Sequence, residues 1–274
     1  MSQIKQIPPS PSSTPPRVWS RPSYRQRRAQ SEWPSLRMAR RSMWPIRIAV
    51  SRCFRFLPLS SLAISRFRPR AFFLVVSPDG TMVYVPLSNG TVTTLDYIGN
   101  AIGTITTGGW PTQAVFSSDG AEAYVSDSEN SDVLVIDTAT NTFSTIPTGG
   151  PTFGLAIDGT NLYATGTTGA VYVIDTATKK VTATITISNP TDALLGLPAL
   201  TPDGKFLYVP VAQFDGILDN GQTLLVINTK TKKIEGKPIQ LGSVPLQIVT
   251  TAGGKFGYLT NGISGAVDVI KLLP

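Results

Sequence analysis

The side chains of this 274-residue chain that could do chemistry are mainly carboxylates, and most of them recur. Asp79, Asp119, Asp158 and Asp203 each stand beside a glycine, and Asp137 and Asp175 each open an Asp-Thr pair. A carboxylate can act as base, nucleophile or oxygen ligand. A site, however, is built from residues that break a repeat, whereas these define one. Their chemistry is that of turns, where Asp accepts from nearby amides and Gly takes positive φ without steric cost. Histidine is absent, which removes Ser-His-Asp and Cys-His catalysis, His-ligated zinc or copper and the usual proton shuttle near neutral pH. The single cysteine, Cys53, excludes an intramolecular disulfide and a cysteine-cluster metal site.

Departures from the repeat are the better candidates. Asp175 and the equivalent Asn228 are 53 residues apart, and the excess over a forty-residue unit lies in ISNPTDALLG (187 to 196) and AQFDGILDNGQ (212 to 222). Asp192, Gln213, Phe214, Asp215, Asp219 and Asn220 belong to these runs and form candidate binding loops, because binding residues are often grafted onto a rigid scaffold. Asp215, Asp219 and Asn220 could offer oxygens to calcium, although the run lacks the spacing of an EF-hand loop. Trp110, in the GGWPT connection, is the one tryptophan outside the first seventy residues and a further candidate. No catalytic, cofactor-binding or metal-binding set is assigned.

The elements that position these residues follow from the repeat. SPDGTMVYV (77 to 85), SSDGAEAYV (117 to 125), IDGTNLYAT (157 to 165), TPDGKFLYV (201 to 209) and TAGGKFGYL (251 to 259) place tyrosines at 84, 124, 163, 208 and 258. A second segment reads VLVIDTATN (133 to 141), VYVIDTATK (171 to 179) and LLVINTKTK (224 to 232), with worn copies at TVTTLDYIGN (91 to 100) and AVDVIKL (266 to 272). Asp-Gly between apolar runs marks a hairpin. The returning Tyr-centred segments are apolar at nearly every position, as suits a strand covered on both faces. A third apolar strand ends in the Asp-Thr turn, whose Asp and Thr oxygens are expected to bond nearby amides. A more polar fourth strand and a Gly/Pro connection complete the unit. Four short antiparallel strands per forty residues describe one blade of a propeller, so the fold class is all-β, with about five blades in frame. The repeated tyrosines are expected in the core or in the packing between blades rather than as ligand stackers.

The Tyr-Val strand followed by VIDTATN resembles the YVTN family of β-propeller repeats, the surface-layer-type propellers, over roughly residues 72 to 274. The resemblance implies a WD40/YVTN-like repeat protein that serves binding or scaffolding, with a periplasmic or extracellular location. Fold alone does not choose a function. Such propellers usually have more than five blades, typically seven. Blade starts near 72, 113, 153, 196 and 246 leave the fifth blade without its outer strand, so an incomplete or open ring is expected. Its unpaired edge at 266 to 271 predicts self-association.

Composition divides the chain at about residue 70. The first seventy residues hold Lys5 and fourteen arginines against the single acid Glu32, a net charge of +14, whereas residues 71 to 274 hold nine lysines and sixteen acids, a net charge of −7. Residues 1 to 70 are rich in Arg, Pro and Ser and read as a disordered tail, a basic arm for nucleic acid or anionic membrane, or a frameshifted segment. The frameshift reading rests on SLRMARRSMWPI (35 to 46). Met and Trp have single codons, so a frame using the last base of each codon forces Gly at Met38-Ala39, Val at Met43-Trp44 and Ala at Trp44-Pro45. The permitted product is Ser-Pro-Asp-Gly-Ala-Lys-Val-Tyr-Val-Ala-Asn, the start of another blade. On that reading the nucleic-acid signal is an accident of frame, and nucleic acid is not the partner.

The N-terminus offers no continuous apolar h-region of a signal peptide, and FLPLSSLAI (56 to 64) is too short to span a bilayer. The leading functional reading is a noncatalytic β-propeller that presents a loop face to a macromolecule or to cell-envelope material. The alternative is a propeller enzyme, a lactonase-like hydrolase or a relative of dehydrogenase subunits, for which no converging set of acids or histidines can be named.

Overall fold

The computed structural model describes residues 70–187, 193–213, 222–241, 244–262 and 264–273. The described residues form strands and turns without helix. The first blade comprises β1 (Val75–Val76), β2 (Met82–Leu87), β3 (Thr91–Asp96) and β4 (Ala101–Thr106), in that spatial order. The second comprises β5 (Pro111–Phe116), β6 (Glu122–Asp127), β7 (Asp132–Asp137) and β8 (Phe143–Pro147). The third comprises β9 (Thr152–Ile157), β10 (Asn161–Gly166), β11 (Ala170–Asp175) and β12 (Lys180–Thr186). Every pairing within them is antiparallel, with β10, for example, setting Tyr163 opposite Val173.

The fourth blade departs from this plan at both edges. Its inner strand divides into β13 (Ala193–Leu195) and β14 (Ala199–Leu200), both paired with β15 (Phe206–Gln213). The break falls at Gly196, where a Cβ would stand 2.4 Å from the Leu246 carbonyl oxygen. After β16 (Thr223–Asn228) the expected single outer strand is also divided, into β17 (Lys233–Ile234) and β18 (Ile239–Gln240), with Gly236 between them at φ 67°. The fifth blade has three strands, β19 (Pro245–Thr250), β20 (Phe256–Asn261) and β21 (Val267–Lys271), and β21 is its outer edge.

Blade stacking explains why the central strands are apolar on both faces. β2, β6 and β10 are buried at five of their six positions, and β20 instead alternates exposed and buried. Each of the first four tyrosines lies between its own blade and the next. Tyr84 joins Ala114 and Phe116, Tyr124 joins Leu155 and Leu162, Tyr163 joins Leu195 and Leu207, and Tyr208 joins Ile248 and Leu259. The Tyr84 and Phe116 rings meet edge to face with centroids 5.0 Å apart. Tyr258 does not follow the expected burial, being 43% exposed, because no described strand packs over it. Among the described residues the blades do not close a ring, and the fifth ends on an open face.

Candidate binding face

Strand direction gives the blades two unlike ends. One carries the turns between first and second strands and between third and fourth strands; the other carries the connections between second and third strands and from blade to blade.

The turn end is built by the repeating acids and satisfied by them. The Ser77 hydroxyl donates to Asp79 Oδ1 at 2.6 Å, and the Thr81 amide and hydroxyl donate to the same carboxylate. Ser117 with Asp119 and Thr201 with Asp203 repeat the arrangement. Asp137 Oδ1 accepts from the Ala139 and Thr140 amides, and Asp175 Oδ1 from the Thr178 amide. The threonine after Asp137, Asp175 and Asn228 acts differently from the sequence expectation. Instead of accepting from amides, Thr138, Thr176 and Thr229 donate to the carbonyls of Gly120, Gly159 and Gly204, tying the two turns together in the second, third and fourth blades. These bonds hold the carboxylates of Asp79, Asp119, Asp137 and Asp175 below their ordinary range and Asp203 at about 2. A groove of about 790 Å³ opens at this end against Asp158, Asn161, Thr201 and Asp203. Its carboxylates are already engaged in their own turns.

The connection end is different. Trp110 follows Gly108 and Gly109, both at positive φ, and a Cβ on Gly109 would lie 2.1 Å from Asp127 Oδ2. Asp127 is fully buried and organises the connection: its Oδ1 accepts from the amides of Trp110, Glu129 and Asn130 at 3.0, 2.8 and 3.1 Å. The acid at the end of β6 is therefore a scaffold for Trp110. The indole is 45% exposed, and its ring centroid lies 6.2 Å from that of Phe72, itself 43% exposed, so the two rings form an aromatic ledge. Sequence reasoning singled out Trp110 but missed Phe72 and Asp127. Position in the repeat could have found Asp127, because Thr165 precedes a glycine at the equivalent place in the third blade.

Two acceptors at the same end lack partners. Asp132 Oδ1 and Asn261 Oδ1 are buried without a hydrogen bond. Burial, with the charge of Asp127 as the smaller contribution, raises the Asp132 carboxyl above its ordinary range. Asn261 Nδ2 donates to Asp268 Oδ2 at 2.9 Å. Among the described residues, no group of three or more His, Cys, Asp or Glu is placed to hold a metal ion. The candidate residues Asp192, Phe214, Asp215, Asp219 and Asn220, and the side chain of Gln213, lie outside the described residues, as does the basic segment before Arg70. The C-terminal ends of β12 and β15 and the N-terminal ends of β13 and β16 lie at the connection end. No helix among the described residues is long and apolar enough to cross a membrane.

These features define the chain as a β-propeller. No protein family and no curated protein matches it. Among solved structures it is similar to a chain of Kuenenia stuttgartiensis hydrazine synthase, with 19% identity, a TM-score of 0.51, and coverage of 74% of this chain and 77% of that one. Similarity at that identity is a likeness of fold alone.

Proposed function

We propose that the protein is a noncatalytic binding or scaffold β-propeller of the YVTN repeat type, which engages a macromolecular component of the cell envelope through its connection end. The observation that carries this reading is the contrast between the two ends. At the turn end the recurring carboxylates are spent on their own turns. At the connection end, Trp110 and Phe72 stand exposed, and the described strands that flank the two length insertions have their bounding ends there. Exposed aromatics suit a partner that offers an apolar or ring surface. The absence of histidine from the whole chain weighs against the hydrolase and dehydrogenase alternatives.

Cosedimentation with isolated cell-envelope material tests the proposal. Trp110→Ala, and separately replacement of residues 214 to 220 by a short Gly-Ser link, should weaken retention while leaving the thermal midpoint nearly unchanged. Lys180→Gln, an exposed change at the turn end, should bind as the parent does. Equal loss in all three variants, or none in the first two, would remove the connection end as the binding face. Hydrolysis of a lactone by the purified chain would favour the enzymatic alternative.

A further inference from the structure

At the turn end, a proline stitches some of the turns between first and second strands to the next blade. An added Cβ on Gly120 would lie 3.4 Å from Pro78 Cδ of the blade before, and one on Gly254 would lie 3.5 Å from Pro202 Cδ. The joints on either side of the third blade lack this stitch. Ser118 stands where the first and fourth blades have Pro78 and Pro202, and Ile157, at the same place, is drawn into β9 opposite Leu162. An added Cβ on Gly159 or Gly204 meets nothing within 4 Å. The groove of about 790 Å³ opens at these two joints, whereas about 250 Å³ remains beside Pro202 at the joint of the fourth and fifth blades. Space at the turn end thus opens where the repeat is broken.

We propose that this groove binds a small primary ammonium compound with an apolar body, at the end of the propeller opposite Trp110. Phe116, Ile157 and Leu200, from three consecutive blades, give the body an apolar floor, and Ser118, Asp158 and Asp203 line the groove with polar groups. The volume suits a small organic ligand. Asp158 takes its turn bonds from neutral groups, namely the Thr160 and Asn161 amides, the Asn161 side chain and the Tyr163 hydroxyl, so its charge has no counter-ion. Asp203 stays ionised down to about pH 2, and its cation, Lys205, has a side chain 66% exposed. An exposed pair of that kind is weak and open to exchange with another ammonium. Each carboxylate oxygen accepts more than one bond, so the turn bonds leave room for a further donor. The excess of acids over lysines in residues 71 to 274 favours a cation over an anion.

The test titrates benzylamine and benzyl alcohol separately into the full chain and follows amide chemical shifts by two-dimensional NMR. Benzylamine should shift the Gly159 and Gly204 amides saturably, and benzyl alcohol, the same body without the charge, should bind more weakly. Ser118→Pro restores the residue that the first and fourth blades carry at this place. It should leave the thermal midpoint unchanged or raised and abolish benzylamine binding. Lys205→Gln removes the competing ammonium and should tighten binding. Nα-acetyl-lysine methylamide, which carries the ammonium on a peptide unit, should bind no better than benzylamine; tighter binding would make the ligand a protein lysine and not a small amine. Equal binding of the amine and the alcohol, benzylamine binding that survives Ser118→Pro in a folded chain, or the lack of saturable shifts at Gly159 and Gly204 in both the parent and Lys205→Gln would overturn the proposal.

Discussion

Lys179 of the third blade places its Nζ 2.6 Å from the hydroxyl of Tyr124 in the second, and pairs there with Glu122. The backbone of Lys179 sits at φ 56°, and Asn141 and Lys232 occupy the same turn position at φ 57°. The second, third and fourth blades thus each use a left-handed turn residue to aim a polar side chain at the blade before. The ammonium also lies 4.9 Å from the Tyr124 ring centroid. Lys179→Met keeps the aliphatic stem and removes the charge, and for a partly exposed pair the loss should be ~1 kcal/mol, about 2–4 °C in thermal midpoint. Denaturant melts of parent and variant measure it, and an unchanged midpoint would show that the contact contributes nothing.

The tyrosine joints predict unequal costs for one substitution. Tyr163 is 1% exposed and packed between the third and fourth blades, so Tyr163→Ala should destabilise by roughly 3–5 kcal/mol, as for other large-to-small core changes. Tyr258→Ala, on the open face, should cost less than ~1 kcal/mol. Equal losses in chemical denaturation would mean that Tyr258 is packed after all.

Acid should loosen the turn end. The carboxylates of Asp79, Asp119, Asp137 and Asp175 titrate lower in the folded chain than the ordinary 3.8, and Asp203 at about 2, each mainly because it accepts hydrogen bonds within its turn. A depressed native value stabilises the fold above the unfolded value, and that contribution is lost as pH falls through the native one. Stability should therefore decline between about pH 4 and pH 2, and Asp203→Asn should make the decline shallower.

Asp132 should act in the opposite sense. Its native value is raised, so the ionised carboxylate penalises the fold progressively as pH climbs from the ordinary range through the native value, and fully above it. Asp132→Asn should raise the thermal midpoint at pH 7 by ~1–2 °C. The difference should vanish well below pH 4. A variant less stable at pH 7 would show that Asp132 is held by an attraction.

Much of this architecture was legible because it repeats. Asp-Gly and Asp-Thr marked the turns, the tyrosines at 84, 124, 163, 208 and 258 marked five blades, and the blade starts left the fifth without an outer strand. What could not be read was where a local rule gives way to a neighbour. Gly196 breaks the inner strand of the fourth blade because the Leu246 carbonyl needs its space, and Leu197 then donates to that carbonyl at 2.8 Å. Asp127 belongs to neither the Asp-Gly nor the Asp-Thr turns, and it fixes Trp110 from seventeen residues away. Phe72 acquires meaning only beside Trp110. Tyr258 matches the repeat in sequence and differs solely in lacking a blade to cover it.

Nitration of the tyrosines, mapped by peptide mass at a concentration where the chain is monomeric, tests the blade-to-blade account most directly. Tyr97, 61% exposed on a turn, and Tyr258 should react, while Tyr84, Tyr124, Tyr163 and Tyr208 should stay unmodified until the chain unfolds. Protection of Tyr258 in the monomer, or modification of the other four in the folded chain, would contradict a stack of blades that ends on an open face.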